Sequence, residues 1–397
     1  MEKLKYIHRW MMLCIALLIL FFGGCITNTK HQPKVVLVTL AGKPLNLIPT
    51  DIAEKEKYFQ KMGIDVEIKT VRGGTDATLA LISRSADFGV MSVEHLLKAA
   101  VKGKNLKLVA TINQYPGFAL IVSSKASNRI KTVKDLKNKK VATSSPGGAF
   151  HIALTYILKK NGVRESEVQM IPLQLEAVVP AIEQGQIDAA MTLEPYVTQL
   201  VERKSASVLV DLRSGAIADS LYGGKYIQAG LVTREDVISA NPEIVNSMIC
   251  AYDSALQWIQ KRSYKEVIEK VYGVDKINNP SQIKALENQK DLFPENTKVD
   301  ARAVQNVIDV MEEMNVVPKE NRIMATDIIG MISVGKFITV EQRNRNSDSK
   351  TIELIILGII LMSIFIIIPI VVFKRKILIE KTKSKSGKEN EKNQGKK

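Results

Sequence analysis

The sequence predicts an α/β protein with two lobes and a C-terminal transmembrane helix. Short apolar segments such as 34–40 (KVVLVTL) alternate with helix-forming segments over the first half of the chain, a pattern typical of mainly parallel sheets. The plan occurs twice, because the segments that end in 87–92 (DFGVMS) and 187–192 (IDAAMT) each contain a helix, an Asp, an apolar strand and a terminal hydroxyl residue. Two units of similar plan predict two similar lobes. A twenty-residue uncharged run, 354–373, predicts the transmembrane helix.

The first unit is predicted to contain three strands and three helices. Gly63 follows a helix-forming segment and is a typical C-terminal stop. Thr75 is a favoured N-cap residue and stands directly before another helical segment. The predicted elements are a strand at 34–40, a helix at 51–62, a strand at 65–71, a helix at 76–85, a strand at 87–92 and a helix at 93–101.

The second unit is predicted to continue this alternation. Gly185 follows a helical segment as a C-terminal stop, and Pro242 lies at the start of a long amphipathic segment, where proline is favoured. We predict a helical turn at 132–136, helices at 149–161, 176–184 and 241–262, further helical segments to 338, and strands at 106–111, 119–123, 140–144, 168–173, 187–192, 208–212 and 226–233.

The N-terminal segment has the pattern of a secretory leader. A short basic segment precedes the twelve-residue apolar run 11–22, and a Gly-Gly pair followed by Cys25 comes after it. A helix of that length rises about 18 Å, less than the ~30 Å bilayer core, which disfavours a stable span. The Gly-Gly-Cys ending resembles a lipobox and predicts lipidation of Cys25, although Phe22 stands where such boxes usually have Leu. Plain secretion and an uncleaved anchor are the alternatives.

The C-terminal segment predicts the orientation of the chain in a membrane. Residues 374–397, which follow the uncharged run, hold ten Lys or Arg residues and three Asp or Glu residues. The positive-inside rule places such a tail in the cytoplasm, beside anionic lipid headgroups. The rest of the chain is then extracytoplasmic, which is the side that the leader also predicts.

The net charge of +15 does not indicate a nucleic-acid partner. The tail 374–397 carries +7 and residues 1–24 carry +2, so +6 remains on the rest of the chain. Most of the charge therefore belongs to the segments predicted to meet the membrane, and we expect no nucleic acid among the partners.

Four segments, taken in order, together resemble a known protein family. They are GGTDATLALISRSADFGVMS (73–92), AVKGKNLKLVAT (100–111), IKTVKDLKNKKVATSSPGGAFHIAL (130–154) and AIEQGQIDAAMTLEPYV (181–197). Over about residues 34–290 the chain resembles the periplasmic-binding-protein type II superfamily. The branch that it resembles contains nitrate, sulfonate, taurine and thiamine-precursor binding proteins (SsuA/THI5-like, NMT1).

The resemblance implies two α/β lobes, two crossover strands near 119–123 and 226–231, and a ligand cleft that closes by a hinge motion. It also implies an ABC importer, with a permease and an ATPase as partners. The chain then divides into a signal peptide 1–24, a linker 25–33, the first part of lobe one 34–120, lobe two 121–226, the completion of lobe one with C-terminal helices 227–345, a transmembrane helix 352–373 and a cytoplasmic tail 374–397.

The C-terminal transmembrane helix departs from the usual pattern of this family. A membrane-anchored sensor that signals through the single helix is therefore an alternative to the importer component. The resemblance implies a small polar ligand, either a sulfonate-, taurine- or nitrate-like anion or an aminopyrimidine, and no cofactor.

Two glycine-rich turns are candidates for ligand binding. In α/β sheets, ligands collect beyond the carboxyl ends of the strands, where helix N-termini present N–H groups and a partial positive charge. Gly74 and Thr75 belong to one such turn, and Ser144, Ser145 and Gly147 belong to the other. Ordinary turn and capping chemistry is the alternative at both places. The resemblance favours ligand binding by the second turn.

Polar residues at strand ends and crossovers are further candidates for ligand contact. Ser92 and Thr192 end predicted strands, and capping of the next element is the alternative role for each hydroxyl. The resemblance places Gln114, Tyr115 and Gln228 at the crossovers, where they are candidate polar contacts.

The segment after 187–192 supplies two more candidates. In similar proteins this loop borders the ligand, so that Tyr196 could stack on a ring and Glu194 could pair with an amine or another cation. Exposure of Glu194 to solvent is the alternative. His151 lies one turn into a predicted helix and is a candidate as well, although a lone histidine more often has a core or surface role.

The sequence favours a binding protein over an enzyme. It contains no HExxH, CxxC, GxSxG or Walker motif, and we expect no metal site. A related branch of the family synthesises the thiamine pyrimidine with a cysteine-rich segment, which Cys250 alone does not supply. The four histidines have no metal-ligand spacing: His8, His31, His95 and His151.

Overall fold

The computed structural model describes residues 33–40, 44–273, 280–321 and 323–330. The chain divides into the units Met1–Val334 and Gly335–Lys397, and all described residues belong to the first. The predicted leader, the lipidation site Cys25, the helix at 352–373 and the basic tail lie outside the described residues. None of the helices within the described ranges is long and apolar enough to cross a membrane.

The described strands form two five-stranded sheets. The first has the order β2-β1-β3-β10-β4, and the second has the order β7-β6-β8-β5-β9. The strands are β1 Lys34–Leu40, β2 Asp65–Val71, β3 Phe88–Ser92, β4 Leu106–Asn113, β5 Phe118–Ser123, β6 Lys140–Thr143, β7 Gln169–Pro172, β8 Ala189–Leu193, β9 Ala206–Asp211 and β10 Ala229–Arg234.

The two sheets have equivalent topologies. In each, the first three strands in spatial order are parallel and the fourth runs antiparallel to both of its neighbours. The chain leaves the first sheet after β4, enters the second at β5, and returns after β9 to β10, which completes the first sheet. The predicted two-lobed α/β fold is therefore present, because each sheet with its helices forms one lobe.

The helices connect the strands and cover the sheets. Pro242 is in the first turn of the long helix, as proline in a helix N-terminus allows. The α-helices are α1 Ile48–Lys55, α2 Tyr58–Lys61, α3 Gly74–Ile82, α4 Val93–Val101, α5 Ala149–Lys160, α6 Leu175–Gln184, α7 Tyr196–Glu202, α8 Gly215–Tyr222, α9 Glu235–Ala240, α10 Pro242–Gln260, α11 Tyr264–Tyr272, α12 Pro280–Glu287, α13 Ala301–Glu313 and α14 Ala325–Ile328.

Two local predictions were wrong. The helix predicted at 51–62 is divided into α1 and α2, because Lys57 adopts a left-handed conformation with φ of 57° and interrupts the helical hydrogen bonding. Thr75 is not an N-cap, since Gly73 occupies that position and α3 begins at Gly74. Thr75 therefore lies within the first turn of the helix.

The long helix α10 packs on the first lobe. Tyr252 is fully buried, and its hydroxyl lies 3.0 Å from that of Thr50. The Tyr252 ring meets Phe59 edge to face, with centroids 5.8 Å apart, a favourable aromatic geometry. The C-terminal half thus contributes to the core of the lobe that the N-terminal strands begin.

Candidate functional site

A cavity of about 670 Å³ lies between the two lobes. It is bounded by the carboxyl ends of β3 in the first lobe and β6, β7 and β8 in the second, as expected for ligand sites in α/β sheets. Its size is within the range of small-molecule sites. Residues that line it include Asn46, Arg72, Gly74, Thr75, Ser92, His95, Phe118, Ser144, Ser145, Phe150, Gln174, Glu176 and Gln228.

Helix N-termini from both lobes point towards this cavity. Helices α3, α5 and α6 begin at its edge, and their N-cap residues Gly73, Gly148 and Gln174 make no side-chain capping hydrogen bond. In α5, the hydroxyl of Ser144 accepts from the third amide of the helix at 3.2 Å, and the first two amides stay available. The first amide groups of a helix carry partial positive charge and bind hydrogen-bond acceptors. This part of the wall is therefore suited to an anionic or carbonyl-like group.

A histidine from the first lobe forms part of the wall. A Cβ atom added to Gly74 would lie 2.2 Å from the His95 ring, so glycine is needed for the imidazole to occupy this place. Burial, with a smaller contribution from the charge of Lys98, lowers the pKa of His95 from 6.5 to about 4. The imidazole is neutral at ordinary pH, and it offers one donor and one acceptor.

The cavity wall contains both charged and apolar side chains. Arg72 lies at the exposed mouth, where its Nε is 3.1 Å from Asp76 Oδ2. Phe118 and Phe150 form an apolar wall, with ring centroids 4.5 Å apart in an edge-to-face arrangement. Asn46 is 8% exposed, and its Oδ1 has no hydrogen-bond partner in the described structure. An unpaired buried acceptor of this kind is suited to a donor group on a ligand.

Six residues predicted as ligand contacts lie together in the wall of this cavity. They come from both lobes and from the second crossover, and direct contact with a ligand stays a prediction for each of them. They are Gly74, Thr75, Ser92, Ser144, Ser145 and Gln228.

Glu194 does not lie in the cavity wall. Its side chain is fully buried and forms an ion pair with Arg213. It also accepts hydrogen bonds from the Thr198 amide at 2.9 Å and the Thr198 hydroxyl at 2.8 Å. A buried carboxylate requires such partners, so these residues take the place of the ligand amine that the sequence analysis assigned to it. Tyr196, half-buried at the start of α7, also lies outside the wall.

The two candidates at the first crossover contact protein instead of the cavity. Gln114 donates from Nε2 to the carbonyl oxygen of Asp291 at 2.9 Å and accepts from Lys225 at 2.9 Å. The Tyr115 hydroxyl lies 3.2 Å from Asp219 Oδ2. Both residues therefore connect the crossover to segments that are distant in sequence.

The remaining three candidates also have other surroundings. The carbonyl oxygen of Gly147 accepts a hydrogen bond from Lys98 of the first lobe, and His151 Nε2 lies 3.1 Å from Glu165. Thr192 is fully buried within β8. Position at a strand end or in a glycine-rich turn was not sufficient to distinguish these residues from the six in the wall.

Several wall residues were not predicted as ligand contacts. His95 was considered only as a metal ligand, although it lies in the first turn after a strand that ends at the cavity. Gln174 and Glu176 follow β7 in the same way that Ser144 follows β6. Topological equivalence of the strand ends was the signal that could have identified them. Among the described residues, no group of three or more His, Cys, Asp or Glu side chains is arranged to hold a metal ion.

Comparison with known proteins agrees with this architecture. A family described as NMT1/THI5 like matches residues 45–263, which is more than half of the chain. The alkanesulfonate-binding protein SsuA from Xanthomonas axonopodis pv. citri has the same fold, with a TM-score of 0.60 and 19% identity over 75% of this chain and 98% of that chain.

Sequence relatives include both binding proteins and enzymes. A candidate binding protein of Brucella abortus is 28% identical over 249 residues, which cover 62% of this chain and 73% of the relative. The 4-amino-5-hydroxymethyl-2-methylpyrimidine phosphate synthase of Schizosaccharomyces pombe is 24% identical over 230 residues, which cover 56% of this chain and 65% of the synthase. On the match over residues 45–263, this chain belongs to the NMT1/THI5-like family.

Proposed function

We propose that this chain is the extracytoplasmic solute-binding component of an ABC importer, capturing a small polar molecule between its two lobes. The observation that carries the proposal is the cavity of about 670 Å³ at the facing strand ends of two topologically equivalent sheets. Lobes joined by two crossovers rotate towards each other about those connections, so a ligand that contacts both lobes favours the closed state.

The wall chemistry supports two classes of solute. The N-termini of α3, α5 and α6 are suited to a sulfonate-, taurine- or nitrate-like anion. Asn46 Oδ1 and the aromatic pair Phe118–Phe150 are suited to an aminopyrimidine, which offers N–H donors and a flat apolar ring. The alkanesulfonate-binding neighbour and the pyrimidine phosphate synthase relative represent these two kinds of chemistry.

The membrane arrangement completes this proposal. A leader of residues 1–24, directly before Cys25, exports the binding domain. The uncharged run 354–373 holds this domain at the membrane as a transmembrane helix, and the tail 374–397 remains in the cytoplasm. The bound solute passes to a permease that is driven by an ATPase, because one helix forms no channel by itself.

We assign a binding role and not an enzymatic one. Cys250, the only cysteine after the predicted lipidation site, is buried in α10 with its Sγ 3.9 Å from Asn246 Oδ1. It does not line the cavity. A synthase that relied on cysteine chemistry would need a cysteine beside the bound pyrimidine.

The test is native mass spectrometry of the full-length chain, purified in mild detergent from its host. We expect a co-purified small molecule, and readdition of that molecule to the emptied chain should raise Tm and reduce the radius of gyration. An empty chain whose Tm and radius do not change with sulfonates, nitrate, taurine or aminopyrimidines would contradict the proposal. Chemical conversion of the bound molecule would instead indicate an enzymatic function, like that of the synthase relatives.

A membrane-anchored ligand sensor is the second candidate function. The predicted transmembrane helix favours it, because solute-binding proteins of this family usually end without one. Cross-linking of the full-length chain in host membranes separates the two functions. A permease and an ATPase among the products support import, whereas a kinase or a chemotaxis protein supports sensing.

A further inference from the structure

A buried carboxylate lies directly behind the cavity wall. Glu94, in the first turn of α4, is 2% exposed. The Tyr226 hydroxyl donates to its Oε1 at 2.9 Å, and Gln228 Nε2 lies 3.5 Å from its Oε2. Glu94 itself does not line the cavity.

One of these partners forms part of the cavity wall. Gln228 lines the cavity, and its Nε2 lies 3.5 Å from Glu94 Oε2, which accepts its hydrogen bond. The NH2 group of Gln228 is therefore directed towards Glu94 and away from the cavity. Gln228 Oε1, which can only accept hydrogen bonds, is then the group left for a ligand.

A second wall residue has the same polarity. Asn46 Oδ1 is buried without a hydrogen-bond partner in the described structure. The backbone carbonyl of Asn46 accepts from Asn113 Nδ2 at 3.1 Å, which ties this segment to β4. This side of the cavity therefore presents acceptors, and a ligand that brings only acceptors would leave them unpaired at a cost in affinity.

We propose that Glu94 is a positioning residue that determines ligand specificity, because it holds Gln228 with its acceptor atom towards the cavity and so selects solutes that carry N–H donors. This inference rests on the proposed solute-binding function. Of the two proposed classes of solute, it favours ligands that carry an amine or an amino-heterocycle. Burial raises the pKa of Glu94 above its usual range, and the hydrogen bond from Tyr226 and the charge of Lys98 oppose this effect only in part.

Glu94→Gln in the full-length chain tests the proposal, because the amide keeps the size of the side chain but both donates and accepts. The donor-bearing probe is 4-amino-5-hydroxymethyl-2-methylpyrimidine, and the acceptor-only probe is ethanesulfonate. We expect the native chain to bind the pyrimidine more tightly, and Glu94→Gln to weaken that binding about tenfold without weakening ethanesulfonate. Glu295→Gln, an exposed matched control, should change neither affinity.

A measurement without ligand keeps the two proposals separate. In a double-mutant cycle of Glu94→Gln and Gln228→Leu, the loss of Tm in the double variant should be smaller than the sum of the single losses by about 2 °C or more. Additive losses would overturn the positioning role even if the chain binds a solute. Tighter binding of ethanesulfonate than of the pyrimidine would overturn the selectivity. Coupling without binding of either probe would contradict the ligand class, and leave only the Glu94–Gln228 contact; the solute-binding function itself is tested by the co-purified molecule.

Discussion

At the scale of single residues, burial determines the chemistry of the cavity and its surroundings. His95 stands in the wall only because Gly74 has no side chain in the space that the ring fills. The same burial that places the imidazole beside the ligand space lowers its pKa. A histidine that the sequence analysis considered only as a metal ligand thus becomes a neutral hydrogen-bonding group in the wall.

The His95 environment predicts loss of stability in acid. The pKa of His95 falls from 6.5 to about 4 on folding, so between these values the unfolded chain binds a proton that the folded chain does not. Above pH 6.5 the imidazole is neutral in both states, and the free energy of unfolding has its full value. As the pH falls towards 4, proton binding by the unfolded chain lowers the free energy of unfolding by up to about 3 kcal/mol. Urea unfolding at several pH values should show a shallower decline for His95→Gln than for the native chain. Identical slopes would contradict this burial of the imidazole.

The Glu194 environment predicts a structural effect rather than a binding effect. Replacement by Gln leaves Arg213 buried with Asp211 as its remaining acidic partner, which should reduce the free energy of unfolding by about 2–3 kcal/mol. Binding by the folded fraction should be retained. Glu176→Gln, at the exposed edge of the cavity, is the matched control and should leave stability unchanged. Loss of ligand affinity with unchanged stability in Glu194→Gln would support the earlier assignment to a ligand amine.

At the scale of elements, one hydrogen bond connects a helix of the first lobe to a turn of the second. Lys98 on α4 donates to the carbonyl oxygen of Gly147, in the turn that precedes α5. Gly147 has a φ of +72°, a left-handed conformation that glycine adopts without strain. Gly147, which was predicted as a ligand contact, therefore supplies a hydrogen-bond acceptor to the opposite lobe.

Removal of this contact should favour separation of the lobes. Lys98→Met keeps most of the aliphatic length and loses a charge-assisted hydrogen bond, which should shift the equilibrium towards the open state by about 1–2 kcal/mol. Small-angle X-ray scattering of the full-length chain without ligand should show a larger radius of gyration. Lys102→Met, an exposed lysine at the end of the same helix, is the control. An unchanged radius for Lys98→Met would mean that the hydrogen bond does not contribute to closure.

At the scale of the whole molecule, the first lobe depends on a segment that follows the second lobe in sequence. Strand β10 lies between β3 and β4 in the first sheet, although it follows all five strands of the second. The Glu313 side chain of α13 also contacts α5 of the second lobe, 3.0 Å from Lys160 Nζ. The first lobe is therefore complete only after the chain has built the second.

This topology predicts the outcome of truncation. A chain that ends at residue 226 lacks β10 and leaves β3 and β4 without their shared partner, so its first sheet should not form. Circular dichroism and limited proteolysis should show a large loss of ordered structure compared with a chain that ends at 334, the boundary of the first unit. A protease-resistant first lobe in the shorter chain would show that β10 is not required.

The sequence by itself determined many of the elements, since their signals are local, although the helices Tyr196–Glu202, Gly215–Tyr222 and Glu235–Ala240 were not predicted. The predicted strands 34–40 and 65–71 and the helix 93–101 have the observed bounds, because apolar periodicity and terminal residues act over a few positions. Repetition of the strand–helix plan was sufficient to predict two lobes. Local signals also identified five candidates that lie in the cavity wall, because residues at the carboxyl ends of parallel strands share one edge of a sheet. The sixth, Gln228, was identified by the family resemblance.

Only the tertiary structure decided which polar residues face the cavity and which bind the protein. Glu194 and Arg213 are 19 positions apart, and Lys98 and Gly147 are 49 apart, so no local pattern indicates that either pair meets. Gln114 and Asp291 meet across 177 positions. The physical reason is that a buried polar group binds whatever partner the packed chain brings within hydrogen-bond distance, and chain topology, not sequence spacing, determines that partner.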